Sequence, residues 1–231
     1  MDLDYKQILL KYPQPNRFRH HIKSNVYFPY HPNLSVSSHY PDLISTIDWK
    51  DVFLNGKTPS SLDIGCGMGK FLIQYGFDNT NENVLGLEVR PMPVDWIKSV
   101  ILGEQYQNIG VLHYTLANGL DFIEDNSLDS IYYFFPDPWF KNKQSKRRVL
   151  NQQFLEICYQ KLKLDGKLFV QTDVTELNKY HLLELNKFNQ TNKYEIKELP
   201  KNEPWDLLKT DQELHVIKKG FDIFRIICTK Q

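Results

Sequence analysis

The sequence predicts an α/β fold built on a mostly parallel, doubly wound sheet. From residue 60 onwards, short apolar segments with strand character alternate with segments of helical apolar spacing, and this alternation is typical of βαβ units. A glycine-rich stretch, LDIGCGMGK at 62–70, lies between the first predicted strand of that series and its first helix. In such sheets the ligand crevice lies at the carboxyl ends of the strands, so polar residues at those ends are candidate site residues.

The strand and helix segments are assigned from their apolar spacing and residue types. Strand segments are short and apolar, and LDSIYYFF at 128–135 is rich in β-branched and aromatic residues. Helical segments place apolar residues three and four positions apart, as in RRVLNQQFLEICYQKL at 147–162. The predicted strands are 60–65, 83–89, 109–115, 128–135, 166–173, 193–199 and 221–230, the last as a C-terminal antiparallel strand. The predicted helices are 41–53, 70–77, 94–106, 119–125, 147–162 and 176–188.

Length and composition indicate one folded domain preceded by a basic segment. The chain has 231 residues, a formal net charge of +0 and 24% charged residues, which is ordinary for a globular protein. No Asp or Glu occurs between Tyr5 and Pro41, whereas Lys and Arg recur there. We therefore predict a basic, partly irregular N-terminal extension at 1–40 and a single domain at 41–231.

The glycine-rich stretch is the first candidate ligand site. Gly65, Gly67 and Gly69 allow the backbone to turn tightly and to approach a ligand. Their G-x-G-x-G spacing departs from the dinucleotide fingerprint G-x-G-x-x-G, whose last position here is Lys70. The spacing also fails the phosphate-loop pattern, because Phe71 stands where Ser or Thr is needed. A plain tight turn is the alternative.

Polar residues after the first three strands favour a cationic nucleotide ligand. Asp63 would repel a pyrophosphate, but it suits the amino and sulfonium groups of S-adenosylmethionine. Glu88 can accept hydrogen bonds from ribose hydroxyls, and Asn118 can bond an adenine edge. The sequence therefore predicts a class I S-adenosylmethionine-dependent methyltransferase fold, with cofactor contacts from Asp63, Gly65, Gly67, Glu88 and Asn118.

The segment PDPW at 136–139 follows the fourth predicted strand. Pro136 and Pro138 restrict the backbone on both sides of Asp137 and so aim its carboxylate. A carboxylate complements the adjacent N–H donors that guanine offers, and Trp139 can stack on a base. We predict that Asp137 is the catalytic residue and also lines the cofactor site. A core position for Trp139 is the alternative.

Five cationic residues without an intervening acid follow this turn. They are Lys141, Lys143, Lys146, Arg147 and Arg148. A solvated loop is the usual explanation of such a run, but arginines at the start of a predicted helix oppose its dipole unless an anion lies among them. We therefore predict contacts to nucleic-acid phosphates, which supply affinity rather than sequence selection.

Four motifs occur in a characteristic order: LDIGCGMGKF, LGLEVR, FFPDPWFKNKQSKRRV and QTDV. In this order and spacing they resemble the tRNA (guanine-N7-)-methyltransferases of the bacterial TrmB type, over about residues 58–230. The resemblance implies methyl transfer to N7 of a guanosine in tRNA, in the variable loop. It implies that the cofactor and active site are lined by Asp63, Glu88, Asn118 and Asp137. It implies guanosine contacts from Lys141, Asp173, Thr210 and Glu213, and RNA contacts from Lys143, Lys146, Arg147 and Arg148.

Two other functions fit the same residues. One is a methyltransferase for an exocyclic amine of a nucleobase or for a small molecule, although a small substrate would leave the basic cluster without a use. The other is an RNA-binding module without catalysis, against which the intact acidic set argues. Nucleoside analysis of tRNA after methyl transfer separates N7-methylguanosine from N6-methyladenosine.

The remaining features bear on the cellular context. The cysteines Cys66, Cys158 and Cys228 lack metal-ligand spacing, and free thiols indicate a reducing, cytoplasmic location. The pair His20/His21 has no further ligands that we can place, so we predict no metal site. No apolar run reaches the roughly 18 residues of a membrane span, so we predict no membrane partner. Either a monomer or a homodimer suits such a fold.

Overall fold

The structure is a computed structural model that describes residues 4–15, 24–32, 40–139 and 142–231. The predicted guanosine contact Lys141 and the pair His20/His21 lie outside these residues. The side chains at 24 and 142–144, including that of the predicted RNA contact Lys143, lie outside them as well. The chain divides into two compact units, Met1–Phe122 and Ile123–Gln231. No helix among the described residues is long and apolar enough to cross a lipid bilayer.

The first unit contains three parallel strands with helices between them. Its strands lie in the order β3-β2-β1: β1 (Ser61–Ile64), β2 (Val84–Glu88) and β3 (Ile109–His113). Its helices are α1 (Tyr5–Lys11), α2 (Lys70–Asp78) and α3 (Pro91–Glu104), with short 3-10 helices at Ser24–Tyr27, Trp49–Asp51 and Leu116–Asn118. Every residue of β1 and β2 is buried, as expected for parallel strands that are covered on both faces.

The second unit contains four strands in the order β4-β5-β7-β6. They are β4 (Leu128–Phe134), β5 (Leu162–Thr172), β6 (Tyr194–Glu198) and β7 (Phe224–Lys230). Strands β4 and β5 are parallel, whereas β7 runs antiparallel to both β5 and β6. The helices are α4 (Gln152–Lys161), α5 (Thr175–Phe188) and α6 (Asp211–Lys219), with 3-10 helices at Asn142–Arg147 and Asn189–Thr191.

Local sequence signals explain where several helices begin. Helix α2 starts after Gly69, whose φ is +73° and whose added Cβ would lie 2.7 Å from the Ile97 side chain. Both the left-handed backbone and the close approach therefore require glycine there. Helix α3 begins at Pro91, a residue preorganised for the first helical turn. Helix α4 is capped by Asn151, whose Oδ1 accepts a hydrogen bond from the backbone N–H of Phe154.

The described parts of the N-terminal 40 residues pack against the rest of the first unit. The indole N–H of Trp96 in α3 donates to the carbonyl oxygen of Tyr12 across 3.0 Å. The hydroxyl of Thr115 donates to the carbonyl oxygen of Val26 across 2.6 Å, and Val26 is buried. Helix α1 forms within this segment because Asp4 caps its first turn.

The predicted fold class is confirmed, including the antiparallel C-terminal strand, but some helix predictions were wrong. The predicted helix at 119–125 is absent, because Gly119, with a φ of +81°, ends a 3-10 turn at Leu116–Asn118. The predicted helix at 41–53 is reduced to Trp49–Asp51. Helix α4 begins at Gln152 rather than at Arg147, and α6 was not predicted.

Candidate active site

The glycine loop after β1 leaves open space beside its backbone. Gly65 and Gly67 have φ values of +78° and +58°, in the region that disfavours other residues. A Cβ added to Gly65 would meet no atom within 4 Å, and Gly65 is exposed. The backbone N–H of Gly65 donates to the carbonyl oxygen of Leu87 across 2.8 Å, which ties the loop to β2. A ligand can therefore lie directly against this backbone.

Asp63 is a buried carboxyl group that retains an unused oxygen. Only 3% of the residue is exposed, and its Oδ2 has no hydrogen-bond partner within the described residues. Burial, followed by the nearby charge of Glu88, raises the pKa of Asp63 to about 8. At neutral pH the carboxyl group is therefore mostly protonated until a cation approaches it.

Glu88, at the end of β2, is held by the neighbouring arginine. The Arg90 side chain forms a fork: Nε donates to Oε1 across 2.8 Å, and Nη2 donates to Oε2 across 3.1 Å. The backbone N–H of Arg90 also donates to Oε1, and that of Gly67 donates to Oε2, each across 3.0 Å. The carboxylate thus already accepts four hydrogen bonds, which is its full capacity. A ribose hydroxyl that bonded Glu88 would replace one Arg90 donor.

Asn118 presents a defined donor after β3. Its Oδ1 accepts a hydrogen bond from the backbone N–H of Tyr30 across 2.8 Å and lies 2.9 Å from the hydroxyl of Tyr40. That hydroxyl shares its one proton between Asn118 and the carbonyl oxygen of Phe28, which lies 3.0 Å away. A backbone N–H can only donate, so these contacts fix which end of the carboxamide is oxygen. The Nδ2 group is buried and has no hydrogen-bond partner in the part of the chain that the structure describes. Sequence reasoning did not anticipate Arg90, Tyr30 or Tyr40.

The first unit therefore combines acidic groups, a donor and open space that suit a cationic ligand such as S-adenosylmethionine. An unpartnered buried carboxyl oxygen on Asp63 can face a cationic group, and the open backbone at Gly65 leaves room for the ligand. Glu88 supplies a carboxylate whose acceptor positions are occupied by Arg90 and Gly67, and Asn118 supplies a donor. All are placed at or just after the carboxyl ends of β1, β2 and β3, where parallel sheets bind nucleotides.

In the second unit, Asp137 and Asp173 follow neighbouring parallel strands. Phe134 in β4 is in register with Gln171 in β5, so the turn after β4 and the turn after β5 lie at the same edge. The backbone N–H of Phe135 donates to the carbonyl oxygen of Gln171 across 2.8 Å. Asp137 is exposed and Asp173 is half-buried. Both residues thus retain exposure to solvent at this edge.

Thr210 and Glu213 form the first turn of α6. The hydroxyl of Thr210 caps the helix by accepting a hydrogen bond from the backbone N–H of Glu213 across 3.0 Å. The Oε1 of Glu213 pairs with Nη2 of Arg225 in β7 at 2.6 Å, and both side chains are at most 3% exposed. The Oε2 of Glu213 is buried without a hydrogen-bond partner among the described residues. Arg225 was not identified from the sequence.

The basic cluster does not stand at a helix N-terminus, because α4 begins at Gln152. The dipole argument for an anion beside these cations is therefore wrong. Lys146 is exposed, and the guanidinium carbon of Arg147 lies 4.8 Å from the centroid of the Trp139 ring. Arg148 instead donates hydrogen bonds to backbone carbonyls within its own unit.

The fold and the acid-lined glycine loop define a class I S-adenosylmethionine-dependent methyltransferase. Residues 57–226 match the family model described as "Putative methyltransferase". Two solved structures share the fold. An antibiotic-related methyltransferase has a TM-score of 0.52 and 15% identity, covering 75% of this chain and 88% of its own. The aminoglycoside resistance methyltransferase NpmB1 has a TM-score of 0.50 and 14% identity, covering 74% and 86%.

Curated relatives specify the class further. The tRNA (guanine-N(7)-)-methyltransferase of Prochlorococcus marinus (strain AS9601) is 32% identical over 188 residues, which are 78% of this chain and 89% of the relative. The tRNA (guanine-N(7)-)-methyltransferase of Histophilus somni (strain 2336) is 33% identical over 190 residues, covering 79% and 74%. The chain belongs to the tRNA (guanine-N(7)-)-methyltransferase family.

Proposed function

We propose that this protein transfers a methyl group from S-adenosylmethionine to N7 of a guanosine in the variable loop of tRNA. The observation that carries the proposal is the unpartnered Oδ2 of buried Asp63 beside the open glycine loop, in a chain of this family. A buried carboxyl group without a partner is costly unless a ligand completes it. The cationic methyl donor supplies that partner.

Methyl transfer to guanine N7 requires alignment of the two reactants rather than a general base. Bound S-adenosylmethionine supplies an electrophilic methyl group on a sulfonium. The in-plane lone pair of guanine N7 forms the new N–C bond while the electrons of the S–C bond return to sulfur, so the positive charge passes to the base. No proton has to leave N7, and catalysis rests on alignment and on negative groups near the developing charge.

The roles proposed for the first unit follow from its contacts. Asp63 holds a cationic group of the methyl donor, and the backbone at Gly65 and Gly67 lies against it. Glu88 accepts from the ribose by exchanging part of its Arg90 fork. Asn118 donates through Nδ2, since its Oδ1 is already engaged.

The roles proposed for the second unit concern the guanosine and the RNA. Asp137 orients the guanine by accepting hydrogen bonds from the N1–H and N2–H groups of the base. It also places negative charge near the product cation and contributes to the cofactor site. Asp173 is a second guanosine contact, supported by its position after the adjacent strand. Lys141, Thr210 and Glu213 complete the predicted substrate contacts. Lys143, Lys146 and Arg147 contact phosphates, which adds affinity that falls with salt.

The decisive experiment is methyl transfer from labelled S-adenosylmethionine to a defined tRNA transcript, followed by nucleoside analysis. We expect label in N7-methylguanosine, lost when the variable-loop guanosine is replaced by adenosine. Label in N6-methyladenosine would select an exocyclic-amine methyltransferase. Label retained after the replacement would refute the variable-loop assignment. Absence of transfer to any RNA, with cofactor binding intact by calorimetry, would refute the function.

A further inference from the structure

The turn that carries Asp137 is bounded by two bulky residues with left-handed backbones. Phe135 has a φ of +47° and Trp139 a φ of +42°, values that aromatic residues rarely adopt. Such a backbone persists only where the surrounding structure holds it. The backbone N–H of Phe135 holds the N-terminal side of the turn through the carbonyl oxygen of Gln171, so contacts on the C-terminal side are needed to hold the rest.

Arg148 makes those contacts on the C-terminal side of the turn. Its Nε donates to the carbonyl oxygen of Pro138 and its Nη2 to that of Trp139, each across 3.3 Å. One planar guanidinium thus bonds two successive carbonyls, an arrangement that suits its rigid fork. Arg148 is half-buried, which strengthens these charge-assisted contacts relative to a solvated side chain.

Helix α5 supports the same guanidinium. Its carbon lies 4.6 Å from the centroid of the Tyr180 ring, in cation–π contact. The next residue, His181, is buried, and burial followed by the charge of Arg148 lowers its pKa to about 3. His181 is therefore neutral at neutral pH and does not repel the guanidinium. Because α5 begins two residues after Asp173, Arg148 links the turn after β4 to the helix after β5.

The adjacent Arg147 is placed differently. Its guanidinium lies over the Trp139 ring, and it makes no hydrogen bond within the described parts of the chain. Its N–H groups are thus available to a phosphate. Lys146 is exposed and equally available. Two neighbouring arginines in one basic motif therefore have different environments.

We propose that Arg148 is a positioning residue that holds the Asp137 turn, and that it is not an RNA phosphate ligand. This inference rests on the proposed function of the site. It divides the predicted RNA-contacting cluster into an outward part, Lys146 and Arg147, and an internal part, Arg148. The outward part sets tRNA affinity, whereas the internal part sets the rate of methyl transfer once tRNA is bound.

The test compares Arg148→Gln with Arg147→Gln, which remove the same charge one residue apart. For Arg148→Gln we expect a single-turnover rate at saturating tRNA roughly 100-fold lower, since small misplacement of a reacting group has effects of that size. Its tRNA Kd and the salt dependence of that Kd should stay near wild type. Arg147→Gln should weaken tRNA binding, reduce the salt slope by about one phosphate contact and lose far less of the rate at saturating tRNA than Arg148→Gln does.

Three further variants separate positioning from loss of charge. Tyr180→Leu keeps every charge but removes the ring beneath Arg148, and it should lower the rate with tRNA affinity unchanged. Tyr180→Phe keeps the ring and should behave as wild type. Arg148→Lys should recover only part of the rate, because an ammonium cannot form the fork. Melting temperatures identify any variant that fails to fold.

Hydrogen exchange of a peptide covering 135–139 gives a readout that does not depend on activity. Its exchange should quicken strongly in Arg148→Gln and Tyr180→Leu and less in Arg147→Gln, whose guanidinium contacts the Trp139 ring rather than the carbonyls of the turn. The inference is overturned if Arg148→Gln keeps the rate and exchange of wild type while tRNA affinity and salt slope fall. If the wild-type protein methylates no RNA, the proposed function fails, and the exchange result still decides whether Arg148 holds the turn.

Discussion

The backbone N–H of Tyr30 donates to Oδ1 of Asn118 across 2.8 Å, although 88 residues separate them. Tyr40 adds its hydroxyl to the same oxygen. A segment that reads as an N-terminal extension therefore sets the orientation of a predicted cofactor contact. The donor Nδ2 of Asn118 is left buried without a hydrogen-bond partner among the described residues.

Tyr40→Phe should weaken binding of S-adenosylhomocysteine by about two- to tenfold, which corresponds to the loss of one hydrogen bond of roughly 0.5–1.5 kcal/mol. The Asn118 carboxamide would then be fixed by the Tyr30 N–H alone. Isothermal titration calorimetry measures the change. Tyr30→Phe is the matched control, because the contact of Tyr30 with Asn118 uses the backbone. Equal weakening in both variants would contradict the assignment.

Binding of S-adenosylmethionine should tighten as pH rises towards 8. The pKa of Asp63 is raised to about 8 in the ligand-free protein, so below that pH the carboxyl group must lose a proton to face a cation. The apparent Kd should fall by up to about tenfold per pH unit and then level off. Asp63→Asn should bind weakly with little of this dependence. Whatever dependence the variant keeps belongs to the ligand's own amino group, and an unchanged slope would exclude Asp63.

The same carboxyl group should lower the stability of the ligand-free protein at higher pH. Its pKa is about 8 when folded and about 3.9 when unfolded, so the folded state binds the extra proton between these values. Its stabilising contribution is complete below about pH 4 and is lost as pH rises through 8. Asp63→Asn should therefore raise the melting temperature more at pH 8 than at pH 5. A uniform shift at both pH values would argue against this titration.

Asp137→Asn should reduce methyl transfer to tRNA about 100-fold or more, because it removes the charge that favours the cationic product. Rates at saturating tRNA and cofactor give the comparison. Asp129→Asn is the control, since Asp129 is another exposed acid, at the start of β4, and is paired with Lys163 at 2.8 Å. Near-normal turnover in both Asp137→Asn and Asp137→Ala would show that Asp137 does not take part in catalysis.

Removing one partner of the buried ion pair between Glu213 and Arg225 should strongly lower the free energy of unfolding. Arg225→Met leaves the Glu213 charge buried alone and should cost about 3–5 kcal/mol in the free energy of unfolding. Adding Glu213→Leu should restore much of that loss. Urea denaturation measures both. Lys201→Met, which breaks the exposed pair with Asp222, should cost less than about 1 kcal/mol, and a similar loss from both pairs would contradict the prediction.

The strands could be predicted from local sequence because buried strands consist of runs of apolar residues. Strands β1 and β2 are apolar runs with every residue buried, and the acids Asp63 and Glu88 stand out within or after them. Helix α6 escaped prediction because much of its apolar surface is exposed, including Leu214 and Ile217. What stabilises its start is a cap by Thr210 and the distant ion pair just described.

The site details that sequence reasoning missed depend on contacts between distant residues. Asn118 was identified, but its fixed orientation comes from Tyr30 and Tyr40. Arg148 was placed with the RNA contacts because the motif reads as one basic run. Its bonds to the Pro138 and Trp139 carbonyls arise from the path of the backbone, which residue types do not encode locally.

The contacts of Tyr30 and Tyr40 bear on how the protein is handled at the bench. A truncated protein that starts at residue 41 would lack Tyr30 and Tyr40, which donate hydrogen bonds to the side-chain oxygen of Asn118. The Asn118 carboxamide could then flip, and its oxygen would lie where the intact protein presents its nitrogen. Under the proposed contact of Asn118 with adenine, inhibitors ranked against such a fragment would be selected for the wrong hydrogen-bonding face of the purine.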